Sequence, residues 1–363
     1  MNHIRPACIL LLMPSLALAG DIERGLEALK KEAYGEAIVC FDAHLRRNPG
    51  SVDAYQFRGI AHRERGEYEK AIDDFTEAIR IAPGDAESYR FRGQAYLEKK
   101  EYDKAIGDFA EYDKAIGDFT EAIRLDPTNA GAFCCRGFAY AVTRRFDRGL
   151  ADCDEAIRLD PQYPPSYRWR GLVYAAKGEY DKAIADYNRA LRLDPTKAAA
   201  YGNRGSAYAH KQAYDQAIRD FTEAIRLNPK RPVGYYIIRG HAYSWKKQDD
   251  KAIADYMTAV RLDPKDAEAH GSLAWLLATS PRADLRDGKR AIEPARKACE
   301  LSGWKDAASL RALAAAHAEC GDFEEAVKWQ KKAIEREPDD KEGLARAQRY
   351  LKFYEEKRPY RRK

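Results

Sequence analysis

Ser244 and Lys247 stand at the SxxK spacing, in which a lysine amine can take the proton of a serine hydroxyl and turn it into a nucleophile. They fall at the end of a helical period with no companion motif, so chance explains the spacing better than catalysis. The histidines after the first nineteen residues are His44, His62, His210, His241, His270 and His317. They form no HExxH and no i, i+4 pair, so no metal site is expected. There is no glycine-rich phosphate loop, and no cofactor is expected. The loop carrying Arg282, Asp284, Arg286 and Asp287 is the remaining place for a catalytic group, although charged loops are usually solvated surface. Cys40, Cys134, Cys135, Cys153, Cys299 and Cys320 show neither CxxC pairs nor a fixed period. Each stands inside a helical pattern, where a free thiol packs as a small apolar side chain. The sequence alone does not decide whether Cys134, Cys135 and Cys153 pair as disulfides.

Arginine and aspartate, by contrast, recur in register. Arg58, Arg92, Arg136, Arg170, Arg204 and Arg239 each precede a glycine. Asp74, Asp152, Asp186, Asp220 and Asp255 follow their arginines by sixteen residues, and Asp118 follows Arg92 after a ten-residue insertion. A structural ladder of Arg to Asp contacts is expected, rather than a set of ligand-binding arginines. Behind it lies a period of 34 residues, set by Gly25, Gly59 and Gly93 and again by Gly137, Gly171 and Gly205, with Gly240 following after 35. Around Gly171 the phrase is complete: Tyr167, Arg170-Gly171, Tyr174, Tyr180, Ala183-Ile184, Asp186-Tyr187, Ala190 and Pro195. Tyr167, Gly171 and Tyr174 share one face of a first helix, and Ala183, Tyr187 and Ala190 share one face of a second. Small residues thus meet large ones across a hairpin joined at Gly178-Glu179. Pro49, Pro83, Pro127, Pro161, Pro195, Pro229, Pro264 and Pro338 each stop a second helix. One hairpin cannot bury its apolar face, but stacked neighbours can.

The repeated phrase resembles the tetratricopeptide repeat family, over about nine tenths of the chain by extent of the pattern. The resemblance implies an all-α, right-handed α-solenoid of about nine helix hairpins with a C-terminal capping helix. The expected hairpins span about 20–49, 50–83, 84–127, 128–161, 162–195, 196–229, 230–264, a variant 265–302, and 303–338. A capping helix at 339–356 and a basic tail at 357–363, read as a solvated end, follow. In this family the first helices line the ligand groove at positions flanking the glycine. Carried over, these are Gln56, Ile60, Arg90, Gln94, Cys134, Phe138, Arg168, Leu172, Asn203, Ser206, Ile237, His241 and Trp245. The set lacks the Lys and Asn arrangement by which some members clamp a C-terminal carboxylate. An extended or helical peptide with apolar anchors is the better expectation. The resemblance implies a non-catalytic scaffold whose partner is another protein or peptide. The weaker alternatives are a cytoplasmic or membrane-attached adaptor of the same fold, or an enzyme built on the charged loop.

The phrase is broken in two places. Residues 101–110 (EYDKAIGDFA) recur as 111–120 (EYDKAIGDFT), and ten residues advance a helix by roughly 1000°, about 80° short of three turns. Only one copy can therefore keep the register, and a lengthened second helix is expected. Later, Ala274 and Ala314 replace the repeat glycine, and Pro294 is expected to interrupt a helix. Residues 1–19, with His3, Arg5, the apolar run 7–13, Pro14 and the small-residue site Ala17-Leu18-Ala19, have the layout of a signal peptide cleaved after Ala19. An exported, periplasmic or envelope location is expected, with no transmembrane segment in the mature chain. The net charge of +5 sits largely in the two ends, which leaves a nearly neutral body and argues against nucleic acid as a partner.

Overall fold

The computed structural model describes residues 19–102, 110–228, 232–336 and 341–362. Residues 1–18, residues 103–109 of the first copy of the duplication, and Pro229 and Pro338 lie outside the described residues. Among those described, nineteen α-helices and one 3₁₀ turn account for the regular structure. The chain divides into two compact units, residues 1–195 and 196–363.

The first unit stacks five hairpins: α1 (Ala19–Lys30) with α2 (Tyr34–Arg47), α3 (Val52–Glu64) with α4 (Tyr68–Ile81), α5 (Ala86–Tyr102) with α6 (Ala110–Leu125), α7 (Ala130–Val142) with α8 (Phe146–Leu159), and α9 (Pro164–Ala176) with α10 (Tyr180–Leu193). The second stacks four: α11 (Ala198–His210) with α12 (Tyr214–Leu227), α13 (Val233–Trp245) with α14 (Asp249–Leu262), α15 (Ala267–Thr279) with α16 (Gly288–Leu301), and α17 (Ala307–Glu319) with α18 (Phe323–Glu335). Helix α19 (Lys341–Glu355) covers the last of them.

The prolines end helices through the residue before them. Pro195 excludes the helical conformation at Asp194, which is extended at φ −141°, ψ 94°, so α10 stops at Leu193. The turn between paired helices needs one left-handed residue. Gly178 supplies it at φ 83°, and Arg144, Gln212 and Lys247 occupy the same turn at φ near 60°. Glu179 N–H then donates to Tyr174 O at 2.8 Å, satisfying a carbonyl of the last turn of α9.

The repeat glycine marks the closest approach within a hairpin. A Cβ on Gly171 would lie 2.6 Å from the buried ring of Tyr187, and one on Gly59 2.7 Å from Phe75. In the fourth hairpin Cys153 takes the aromatic position and Gly149 the alanine position. There a Cβ on Gly137 would meet Cys153 Sγ at 2.8 Å and Gly149 O at 2.9 Å, so two backbones touch where a ring fills the space elsewhere. Cys134, Cys135, Cys153 and Cys299 are buried and all described cysteines are free thiols. Burial pushes the Cys134 thiol up to about 12, in keeping with a packing role.

One expectation about helices is extended and one is corrected. The second helix of the third hairpin is lengthened as expected, α6 having 16 residues where most second helices have 14, but the first is lengthened more, α5 having 17 where most first helices have 13. The second copy of the duplicated phrase keeps the register, with Phe119 under Gly93 and Asp118 on Arg92, because it is the copy joined directly to the closing turn at Pro127. Pro294 does not interrupt α16, which runs through it from Gly288 to Leu301. The missing N–H costs one helical hydrogen bond, and burial of Ala291, Ala295 and Ala298 on the core side holds the helix. The capping helix is as expected in place: Tyr350 and Tyr354 pack with Ala314, Ala318 and Ala326, and Ala347 is buried as well. The basic segment after it is not a solvated end: Tyr360, Arg361 and Arg362 fold back onto the second unit.

Candidate functional site

The Arg and Asp positions come together in all six hairpins that carry them. Arg170 Nε donates to Asp186 Oδ2 at 2.8 Å and Nη2 to Oδ1 at 2.7 Å, a bidentate pair repeated by Arg136 with Asp152, Arg204 with Asp220 and Arg239 with Asp255. Arg58 and Arg92 hold Asp74 and Asp118 in the same way. The third donor was not foreseen. Arg58 Nη1 reaches Asp42 at 2.5 Å and Arg170 Nη1 reaches Asp154 at 2.7 Å, while Arg92, Arg136 and Arg239 reach Thr76, Thr120 and Thr222. Each of these partners lies on the second helix of the preceding hairpin, so one guanidinium ties three helices. The aspartates are buried, and Asp186 is only 6% exposed. The hydrogen bonds to Asp186 hold Arg170 well above the usual guanidinium value, so these arginines are committed cations rather than free ligand-binding groups.

The positions expected to line the groove divide sharply. Gln56, Ile60 and Ile237 are buried, at 3%, 8% and 3% exposure, and their contacts are spent inside the stack. Gln56 Nε2 donates to Asp85 at 2.6 Å and to Ser88 at 2.9 Å, tying α3 to the start of α5; Ile60 and Ile237 belong to the core. Gln94 accepts from Arg63 Nη1 at 3.0 Å, and Cys134 Sγ donates to Ser166 Oγ at 3.2 Å. His241 Nε2 lies 3.2 Å from Ser272 Oγ, and burial holds its imidazole below the ordinary value. Each of these contacts joins first helices of successive hairpins. Sequence reasoning missed this second set of ties because its partners are about thirty residues apart with no fixed residue type.

What remains is aromatic and partly exposed, with one buried cation laid against it. On the first unit, Phe138 packs on Trp169 with ring centroids 4.5 Å apart, and the Arg168 guanidinium lies over the Trp169 ring at 4.2 Å. Arg168 is 8% exposed, and its Nη2 is buried with no hydrogen-bond partner among the described residues. Burial lowers its pKa, and no carboxylate offsets that effect. Its neighbour Arg90 differs: it is paired with Glu87, which also accepts from Asn129 at 2.9 Å. Leu172 is half-buried. On the second unit Trp245 is 56% exposed and rests against Tyr214 and His241, with ring centroids 5.8 and 6.1 Å away. Asn203 and Ser206 are half-buried, and Ser206 Oγ donates to Gly202 O at 3.1 Å.

The charged loop has a structural use for each residue. Asp287 caps α16 by accepting from Arg290 N–H, Arg286 donates to Ser280 O at 2.9 Å, and Arg282 pairs with Asp284 on the surface. Ser244, of the SxxK spacing, contacts Arg362. Among the described residues no group of three or more His, Cys, Asp or Glu side chains is placed to hold a metal ion, and no helix is long and apolar enough to cross a membrane.

Stacked helix hairpins joined by repeated polar ties, with partly exposed aromatics on the first helices, define an α-solenoid interaction scaffold. Models described as tetratricopeptide repeat match residues 22–86, 108–164, 153–185, 198–231, 233–266 and 307–336, and one described as TPR repeat matches 171–212. The chain belongs to the tetratricopeptide repeat family, whose members bind other proteins or peptides. No curated protein matches it significantly. Among solved structures it is similar to a tetratricopeptide repeat protein from Parabacteroides merdae, at 18% identity and TM-score 0.54 over 70% of this chain and 96% of that one. The Cut9-Hcn1 hetero-tetramer of the APC/C gives 18% identity and TM-score 0.60 over 82% of this chain and 55% of that one. The human IFIT1 dimer with PPP-AAAA gives 17% identity and TM-score 0.58 over 88% and 73%. At these identities the likeness concerns the fold.

Proposed function

We propose that the chain is an exported, non-catalytic scaffold whose first-helix face holds an extended or helical segment of another protein. The observation that carries the reading is the Arg168 group. A buried guanidinium with an unpaired nitrogen, laid on Trp169 beside Phe138, suits a segment that offers a carboxylate next to an apolar side chain. An unpaired buried donor is costly, and a ligand carboxylate would satisfy it while the two rings bury its apolar neighbour. Trp245 offers a second, separate apolar anchor on the other unit. Export rests on the leader-like layout of residues 1–19.

The test is affinity capture of the tagged protein from its own cells, beside an Arg168→Gln, Trp245→Ala variant with the same circular dichroism. Bound proteins and the bait's N-terminus are read by mass spectrometry. A partner lost from the variant, with bait beginning at Gly20, is the expected result. Binding indifferent to both substitutions would reject the first-helix face. Bait that retains Met1 would reject export.

A further inference from the structure

The segment that follows α19 makes contacts of a kind usually seen between a receptor groove and a peptide. Lys357 turns the chain at φ 52°, and Arg358 N–H donates to Phe353 O at 2.9 Å, so residues 359–362 run back along the second unit. The Tyr360 ring enters an aromatic cluster, with centroids 4.4 Å from Tyr350, 5.9 Å from Trp275 and 5.8 Å from Phe353. Arg361 pairs with Glu319 at the end of α17. Arg362 N–H donates to Thr279 O at 2.9 Å, and its guanidinium contacts Ser244 and Asp249.

The receptor side also has contacts of its own, independent of this occupant. Asp249 opens α14, is 1% exposed, and accepts a hydrogen bond from Ser280 Oγ at 2.6 Å. A carboxylate so buried requires a cation, and Arg362 is the one that reaches it. Glu319 is likewise held from its other side by Arg286 Nε at 3.3 Å. Trp275 is fixed on α15, inside the core that α19 covers. Three adjacent hairpins thus present an aromatic slot and two carboxylates, spaced for an aromatic residue followed by two arginines. The occupant, in contrast, has no helical or strand structure of its own, and one backbone hydrogen bond to the receptor.

We propose that this cleft, bounded by Asp249, Trp275 and Glu319, is a docking site for a partner segment of the form Tyr-Arg-Arg, and that residues 360–362 fill it in cis. The tether is a few residues long, so the local concentration of the cis segment is on the order of millimolar. A partner must outcompete it, and the cis segment therefore sets a threshold for engagement. The site lies in the second unit, so its test is independent of Arg168.

The probe is a fluorescein-labelled hexapeptide of sequence RPYRRK, titrated by anisotropy into the whole chain and into an Arg361→Glu, Arg362→Glu variant that ejects the cis segment. The variant is expected to bind at least tenfold more tightly than the parent, and adding Asp249→Asn is expected to abolish that gain. Equal binding to parent and variant, binding to neither, or indifference to Asp249→Asn would overturn the proposal. Should the charge-reversed variant fail to fold, limited trypsin digestion of the parent decides instead. Saturating peptide carrying D-arginines, itself resistant to trypsin, is expected to speed cleavage after Arg361, and no acceleration rejects a displaceable segment. A concentration-dependent dimer of the parent, lost on charge reversal, would assign the site to a second copy of this chain and overturn the reading of a separate partner.

Discussion

Replacing one member of the Arg170 and Asp186 pair should cost more than replacing both. Arg170→Met leaves the Asp186 carboxylate, 6% exposed, without the two hydrogen bonds at 2.7 and 2.8 Å that now compensate it. Removing one partner of a fully buried pair costs about 3–5 kcal/mol. The Arg170 side chain is 23% exposed, so water can partly replace it, and about 2–3 kcal/mol is the expected loss. Asp186→Leu leaves Arg170 its bond to Asp154 and partial access to water, so about 1–2 kcal/mol is expected. Arg170→Met with Asp186→Leu removes both charges and adds apolar surface beside Tyr167, with an expected net change within about 1 kcal/mol. The singles then sum to about 3–5 kcal/mol against a double within about 1, so the coupling in the double-mutant cycle is about 3 kcal/mol. Urea unfolding followed by circular dichroism measures the sum, and amide exchange in α9 and α10 localises it, because repeat arrays can unfold in parts. Single variants within about 0.5 kcal/mol of the parent, or a double variant as costly as the sum of the singles, would refute the reasoning.

Three further outcomes follow from the geometry. Gly171→Ala puts a methyl 2.6 Å from the Tyr187 ring and should lower stability by about 1–2 kcal/mol; Gly117→Ala, which meets nothing within 4 Å on an exposed helix, should raise it by about 0.5–1 kcal/mol in the same assay. Burial raises the Glu87 carboxyl, but the Arg90 hydrogen bonds and charge, with Asn129, more than offset this and hold it below its ordinary value. Its contribution to stability is therefore present above the ordinary glutamate pKa of about 4.3 and lost as pH falls through the lower folded value, so Glu87→Gln should show a shallower acid transition than the parent. In the native protein a thiol reagent should modify exposed Cys320 first, while Cys134, Cys135, Cys153 and Cys299 react only after unfolding; rapid modification of Cys134 would show that the fourth hairpin is opened.

The hairpins, the glycine-to-ring contacts and the Arg to Asp pairs were legible in the sequence because each is decided within one repeat, the pairs at an offset of sixteen residues in every hairpin but the one with the insertion. The groove was less legible. A position two residues before or after the repeat arginine can face a ligand or the next first helix, and the choice depends on what the neighbour offers. Gln56 is buried because Ser88 and Asp85 stand opposite it, whereas Trp245 is exposed. The docked segment at 360–362 was illegible for a related reason. Counting its charges suggested a solvated end, but its partners, Asp249 and Ser244, are more than a hundred residues away and carry no periodic signal. The ten-residue insertion could be timed but not placed, since both copies fit a helix equally well and only the connection to Pro127 favours the second.

The third donor of each ladder arginine has a bearing on how such an array changes length. The costly part of the ladder, a buried carboxylate with its bidentate arginine, lies wholly inside one hairpin, and only Nη1 crosses to the hairpin before it. What it finds there differs: aspartate for Arg58 and Arg170, threonine for Arg92, Arg136 and Arg239. A whole repeat can therefore be gained, lost or exchanged without stranding a buried charge, because the junction asks only for an oxygen. The unit of inheritance and the unit of charge balance coincide, and the duplicated phrase at 101–120, a change of less than one repeat, is the case in which they do not.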